Sequence, residues 1–238
     1  MTSLAGILTF VFGLSPVHGG VMEWEVHMQQ GLTQYQHGDY PNAAASITAA
    51  LKEAEAFGEG DPRLPLTLNI LGTQYLSLGE YAEAEPLLKR SLAIRKRIFG
   101  SGHPDVSTSL NNLAMLYGSQ GKYGEAEPLL KQAVESWEKA LGPESPDVAM
   151  SLNNLAMIYS AQGKYALAEL LLKRSVGIWE KVLDAKNLAT TLENISKLYT
   201  KMGRSTEAQQ FAHQATRTRA VGNDKHDQSR YVDRSLPR

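Results

Sequence analysis

An all-α solenoid of about five tandem helix-turn-helix units is the fold this sequence predicts. Three observations carry that reading. First, near-identical blocks recur at a fixed spacing: LNILGTQY at 68–75, LNNLAMLY at 110–117 and LNNLAMIY at 152–159 stand 42 residues apart. Second, each block carries its apolar residues on one helical face, as Leu110, Leu113, Ala114 and Tyr117 do at i, i+3, i+4 and i+7. Third, a polar break with a glycine follows each block (Ser119-Gln120-Gly121-Lys122 in the central copy), and then a second apolar stripe of Ala126, Leu130, Ala133 and Val134.

The second halves keep the same period: GEYAEAEPLLKRSL at 79–92, GKYGEAEPLLKQAV at 121–134 and GKYALAELLLKRSV at 163–176. Trp137 and Trp179 share the 42-residue spacing, which favours packing between units over exposure to a partner. A looser copy, LENISKLY at 192–199, follows after 40 residues, and a degenerate one begins near Trp24. The units run approximately over 21–60, 61–102, 103–144, 145–184 and 185–219, the outer two being atypical as capping units are. Helix starts are written in the sequence. Ser145 is a good N-cap, Pro146 suits the first helical position and Asp147 complements the positive helix end. His103-Pro104-Asp105 and Asp61-Pro62 mark the same place in neighbouring units. Small residues recur where the paired helices cross: Gly31, Gly72, Ala114, Ala156 and Ser196 on first helices, and Ala43, Ala84, Ala126, Ala168 and Ala208 on second helices. A bulky residue there would cost about 1–3 kcal/mol by overpacking.

This pattern resembles the tetratricopeptide repeat. The 42-residue version, with HPDV or SPDV before LNNLA and GKY-x-EAEPLLKR after it, is similar to the kinesin-light-chain-type subgroup. The resemblance covers about four-fifths of the chain and is densest over the second to fourth units. It implies a right-handed superhelix whose concave face binds peptides or partner proteins.

The ends of the chain differ from the repeats. Leu4 to Leu14 is the most apolar stretch, shorter than a membrane-spanning helix. Its length suits the apolar part of a secretory signal with cleavage near Val17-His18-Gly19, although Met1-Thr2-Ser3 carries no cation; the other reading is an apolar helix that caps the fold. Residues 1–20 are therefore set apart. Export to the periplasm or medium is the expectation if 1–19 are a signal, and the cytoplasm otherwise. Residues 220–238 are polar, mixed in charge and without a stripe, and read as a disordered tail.

Composition narrows the function. The 238 residues hold 24 Lys plus Arg against 25 Asp plus Glu, a formal net charge of −1, which argues against a nucleic-acid binder. The absence of Cys excludes thiolate metal sites and Cys nucleophiles. No HExxH, phosphate loop or nucleophile elbow is present, so neither enzyme activity, cofactor nor metal is expected. Glu83/Glu85 and Glu125/Glu127 recur with the repeat, and read as favourable charges at helix starts rather than an acid–base pair. Lys89-Arg90, Lys131, Lys173-Arg174 and Arg95-Lys96-Arg97 read as a solvated outer face.

The informative polar residues are the asparagines. Asn is a mediocre helix former, so Asn111-Asn112 and Asn153-Asn154 within first helices call for a reason. One reason is that an amide carries donors and an acceptor for an extended peptide backbone; the other is a buried hydrogen bond between neighbouring units. The sequence favours the groove for Asn69, Asn111 and Asn153 and leaves Asn112 and Asn154 open between the two roles. Thr73, Met115, Met157 and Lys197 share that face, four residues after Asn69, Asn111, Asn153 and Glu193. The expected groove is neutral, amide-rich and partly lined by adaptable Met. The expected function is a monomeric, non-enzymatic scaffold holding an extended or helical segment of a protein partner, with no membrane span. The alternative is an assembly module that self-associates or docks in a larger envelope or secretion complex.

Overall fold

The computed structural model describes residues 19–232, with side chains over 21–221. The apolar segment over 1–18 lies outside the described residues. The elements are α1 (Gly19–Gln36), α2 (Tyr40–Ala56), α3 (Arg63–Leu78), α4 (Tyr81–Phe99), α5 (Pro104–Ser119), α6 (Tyr123–Leu141), α7 (Pro146–Ala161), α8 (Tyr165–Lys181), α9 (Ala185–Lys201) and α10 (Ser205–Val232). The described residues are all helix and connecting turn, in the order the repeats predict. They form two compact units, divided between Ile94 and Arg95 within α4.

The expected caps are in place. The Ser145 hydroxyl accepts from Val148 N at 3.3 Å, and His103 Nδ1 accepts from Asp105 N at 3.2 Å. At the start of α3 the carboxylate of Asp61 accepts from Arg63 N at 2.9 Å and pairs with the Arg63 guanidinium at 2.6 Å. Gly79 and Gly121 end first helices with φ of +80° and +74°, the left-handed turn that glycine adopts without a Cβ penalty.

In the first unit α1 pairs with α2, and α2 packs on α3. The small-residue positions do what their spacing demands. A Cβ on Gly31 would stand 2.6 Å from Ile47 Cδ1, and one on Gly72 would stand 2.8 Å from Leu88 Cγ. Trp24 is buried and its indole N–H donates to Thr67 Oγ1 at 2.9 Å. Arg90 of α4 pairs with Glu55 of α2.

In the second unit α5 pairs with α6, α7 with α8 and α9 with α10, and α7 packs on α6 as α9 packs on α8. Ala114, Ala126, Ala156 and Ala168 are fully buried, and the Ser196 hydroxyl, which replaces alanine in the last unit, donates to the Ala208 carbonyl at 2.8 Å. Trp137 and Trp179 are buried.

Two features depart from the sequence reading. Arg95 is not part of a solvated strip. It stands 42 residues before Trp137, in the same register, and is 5% exposed. Its guanidinium donates to the Asp105 carbonyl at 2.8 Å and Ser109 Oγ at 3.0 Å, and burial pushes its pKa below the ordinary value. The second departure is α10, which continues to Val232 through the stretch read as a disordered tail from residue 220. Extending an existing helix fixes one residue at a time, and most of the residues beyond Val221 carry only a modest helix penalty.

Candidate functional site

The expected groove residues lie on first helices. In the first unit, Asn69 is buried in α3, and the Thr73 hydroxyl donates to the Ile70 carbonyl at 2.8 Å. In the second unit the face is built from α5, α7 and α9. Asn111 is 4% exposed. Its Oδ1 accepts from Asn154 Nδ2 at 3.0 Å and from Ser151 Oγ at 3.1 Å, both on the next first helix. One repeat later, Asn153 Oδ1 accepts from Asn194 Nδ2 at 3.0 Å. The first amide of each pair is thus bonded to the second amide of the following unit. This gives Asn111 and Asn153, which the sequence favours for the groove, an inter-unit role, and Asn154 shares it.

The rest of the face divides in two. Glu193 is taken up by an ion pair with Arg219 at 2.7 Å. Asn112 and Met115 are half-buried, Met157 is 36% exposed and Lys197 is exposed. Met115 and Met157 sit one turn beyond the asparagines, so the open part of the face is thioether and lysine beside a row of amides whose oxygens on Asn111 and Asn153 are already engaged.

A second recurring node escaped sequence reasoning. Glu127, near the start of α6, accepts from Tyr159 Oη at 3.3 Å and Gln162 Nε2 at 3.3 Å, and pairs with Lys131 at 2.6 Å and Lys164 at 3.1 Å. Three of those partners belong to the next repeat. Glu169 repeats the pattern with Tyr199 Oη at 2.7 Å, Lys173 at 2.6 Å and Arg204 at 3.4 Å. The Lys131 hydrogen bond, followed by those of Lys164 and Gln162, holds the Glu127 carboxyl down at about 2. Lys173 and then Tyr199 lower Glu169 in the same way. The signal in the sequence was the co-recurrence of Glu127 with Tyr159 and the Gly-Lys turn. Reading Glu125 and Glu127 together as helix-start charges hid the difference between them.

The contacts of Asn111, Asn153, Glu127 and Glu169 brace one repeat against the next. Among the described residues no cluster of His, Cys, Asp or Glu is placed to hold a metal ion, and no helix is long and apolar enough to cross a membrane.

Paired helices tied to their successors through side chains about one repeat apart define a tandem helical-repeat protein. The tetratricopeptide-repeat family profile matches residues 63–138, 116–181 and 147–220, and a second profile of the same family matches 28–97. The chain belongs to the tetratricopeptide repeat family, and its repeats are of the kinesin-light-chain type. Among solved structures it is similar to a putative kinesin light chain of Podosopora anserina with nearly identical TPR-like repeats, at 25% identity and a TM-score of 0.69, covering 88% of this chain and 100% of that one. It is similar to BtubC (BKLC) from P. vanneervenii at 25% identity and a TM-score of 0.68, covering 81% and 78%. A Rap protein complexed with competence and sporulation factor shares the fold at 15% identity and a TM-score of 0.77, covering 87% of this chain and 56% of that one. No curated protein sequence matches the chain.

Proposed function

We propose that the chain is a non-enzymatic scaffold that holds a peptide segment of a protein partner, rather than nucleic acid, on the first-helix face of its repeats. Membership of the tetratricopeptide repeat family supports protein binding in general. The observation that carries the finer reading is Met157: a 36% exposed thioether on the face of α7, where a methionine at a water-facing position gains little unless something covers it. The row of Asn side chains beside it supplies polar edges for a backbone, and Lys197 gives the end of the row a cation. A solved relative of the same fold is complexed with a factor, which makes occupancy of this fold by a ligand reasonable. The test is site-specific photocrosslinking in the native lysate. A photoreactive phenylalanine at position 157 is expected to give a discrete adduct, and one at Lys139, on the outer surface of α6, is not. An adduct only at 139, or none at 157, contradicts the proposal.

A second reading, an assembly module that self-associates, is favoured by a different observation. On α8, Leu167 and Leu170 stand where α6 has Glu125 and Pro128, and Leu170 is 65% exposed. Sedimentation over a hundredfold concentration range decides it. A mass that stays monomeric removes this reading, and a dimer dispersed by Leu170→Glu supports it.

A further inference from the structure

Beside the last helix pair lies a cleft of about 790 Å³ that has no counterpart in the first-helix face described above. Trp179, Leu183 and Leu188 form one side, from the end of α8 and the start of α9, and Gln214, Arg217 and Thr218 of α10 form the other. The same junction one repeat earlier shows what ordinarily fills this space. There Arg174 of α8 reaches Glu138 of α6 at 2.5 Å and the Pro143 carbonyl at 3.2 Å, Lys181 pairs with Glu144, and Ile178 is buried.

In the repeat register Gln214 stands in place of Arg174 and Thr218 in place of Ile178. The shorter side chains do not cross the gap. The turn between α8 and α9 is also one residue shorter, and its carboxylate, Asp184, is spent on Asn187 N at 2.9 Å and Asn187 Nδ2 at 2.8 Å. The outcome is a space with an apolar floor and unspent charge on its walls. Arg217 on one wall and Glu180 on the other have no ion-pair partner among the described residues. At the lip, Leu183 is held at φ +57°, a positive φ that the corresponding turns give to Gly100 and Gly142, and it is 82% exposed. A strained backbone that presents an apolar side chain to water is a costly arrangement for a turn with only a connecting role.

We propose that this cleft is a binding site for a partner polypeptide, taking one apolar side chain flanked by a carboxylate. The apolar side chain covers the exposed Leu183 and the half-buried Leu188 above the buried Trp179, in the space that longer side chains occupy one repeat earlier. The carboxylate meets the Arg217 guanidinium on the α10 wall, and Glu180 opposite turns away an acidic group in the reverse orientation. The volume lies within the range of ligand sites, but the open lip at Leu183 lets a chain enter and leave, which suits a polypeptide better than an enclosed small molecule.

The experiment uses the full chain and two blocked tripeptides, acetyl-Asp-Leu-Leu-amide and acetyl-Lys-Leu-Leu-amide, with the Trp179 indole N–H followed by NMR. The acidic peptide is expected to shift that signal in a saturable way, and the basic peptide to need about tenfold more. Arg217→Glu, an exposed change on α10, is expected to reverse the preference. Gln214→Arg with Thr218→Ile, which restores the filling of the earlier junction, is expected to remove the response while the protein melts no lower. An indole signal unmoved by either peptide, a preference unchanged in Arg217→Glu, or a response that survives the filling variant overturns the proposal. A dimer seen without peptide and lost in the filling variant assigns the cleft to a second copy of the chain and also overturns it.

Discussion

Arg95 and Trp137 occupy the same place in successive repeats and solve the same packing problem with opposite chemistry. Trp137 fills its site with apolar surface. Arg95 fills an equivalent volume with a cation, and that works because the Asp105 carbonyl and Ser109 hydroxyl stand where its guanidinium can use them. The comparison teaches that the repeat fixes size and position, while each polar substitution must bring its own partners. Two other residues show the rule failing. Gln74 stands in the register of Leu116 and Ile158 and is buried with neither amide atom bonded. Ser107 Oγ is buried and unbonded as well. Ser91 and Ser175, at a different register position that Ala133 holds in the repeat between them, do bring partners: Ser91 donates to the Pro65 carbonyl at 2.6 Å and Ser175 to the Ala149 carbonyl at 2.8 Å.

The largest expected effect that would sharpen this contrast is at Arg95. Arg95→Ala leaves a void and removes the partner of the buried Ser109 hydroxyl and the part-buried Asp105 carbonyl, and is expected to cost about 2–5 kcal/mol in denaturant unfolding. Arg95→Met keeps most of the volume without the charge and is expected to cost clearly less. Equal losses in the two variants would break the comparison, because volume would then not matter. Next comes Gln74→Leu, expected to stabilise by about 1–3 kcal/mol by removing an unsatisfied amide from an apolar site. A destabilised Gln74→Leu would mean that the amide has a partner. Smaller still is Ser107→Ala, expected to gain no more than about 1 kcal/mol.

The smallest effect is electrostatic and depends on pH. The folded-state pKa of Glu127, about 2, lies below the ordinary value of 4.5. Its stabilising contribution is therefore complete above about pH 4.5 and is lost as pH falls toward 2. Glu127→Gln is expected to melt below the wild type at neutral pH, with the gap closing over that acid window. A gap that stays constant with pH would show that the node braces the repeats by shape rather than charge.

The sequence told a good deal about this molecule, and unevenly. The helix order, the caps at His103 and Ser145 and the close crossings at Gly31 and Gly72 were legible because each depends on local spacing or on identity repeated in register. The roles of the asparagines were not. Periodicity assigns Asn111 to a face of α5, but its partner Asn154 lies one repeat plus one residue away, and only the packing of successive first helices brings them together. Arg95 was hidden for the opposite reason. Its neighbours Lys96 and Arg97 made a charge run, and only the 42-residue register with Trp137 reveals a buried position. The cleft at α10 was invisible because it arises from side chains that fail to reach across.

The account turns on whether these asparagines join one repeat to the next or stand free for a partner. A double-mutant cycle on Asn111→Ala and Asn154→Ala, read by denaturant unfolding of the chain alone, addresses that directly. A bond between the two amides predicts a coupling of about 0.5–3 kcal/mol between the substitutions. Strictly additive losses, or no loss in either single variant, would contradict it and return both side chains to the groove.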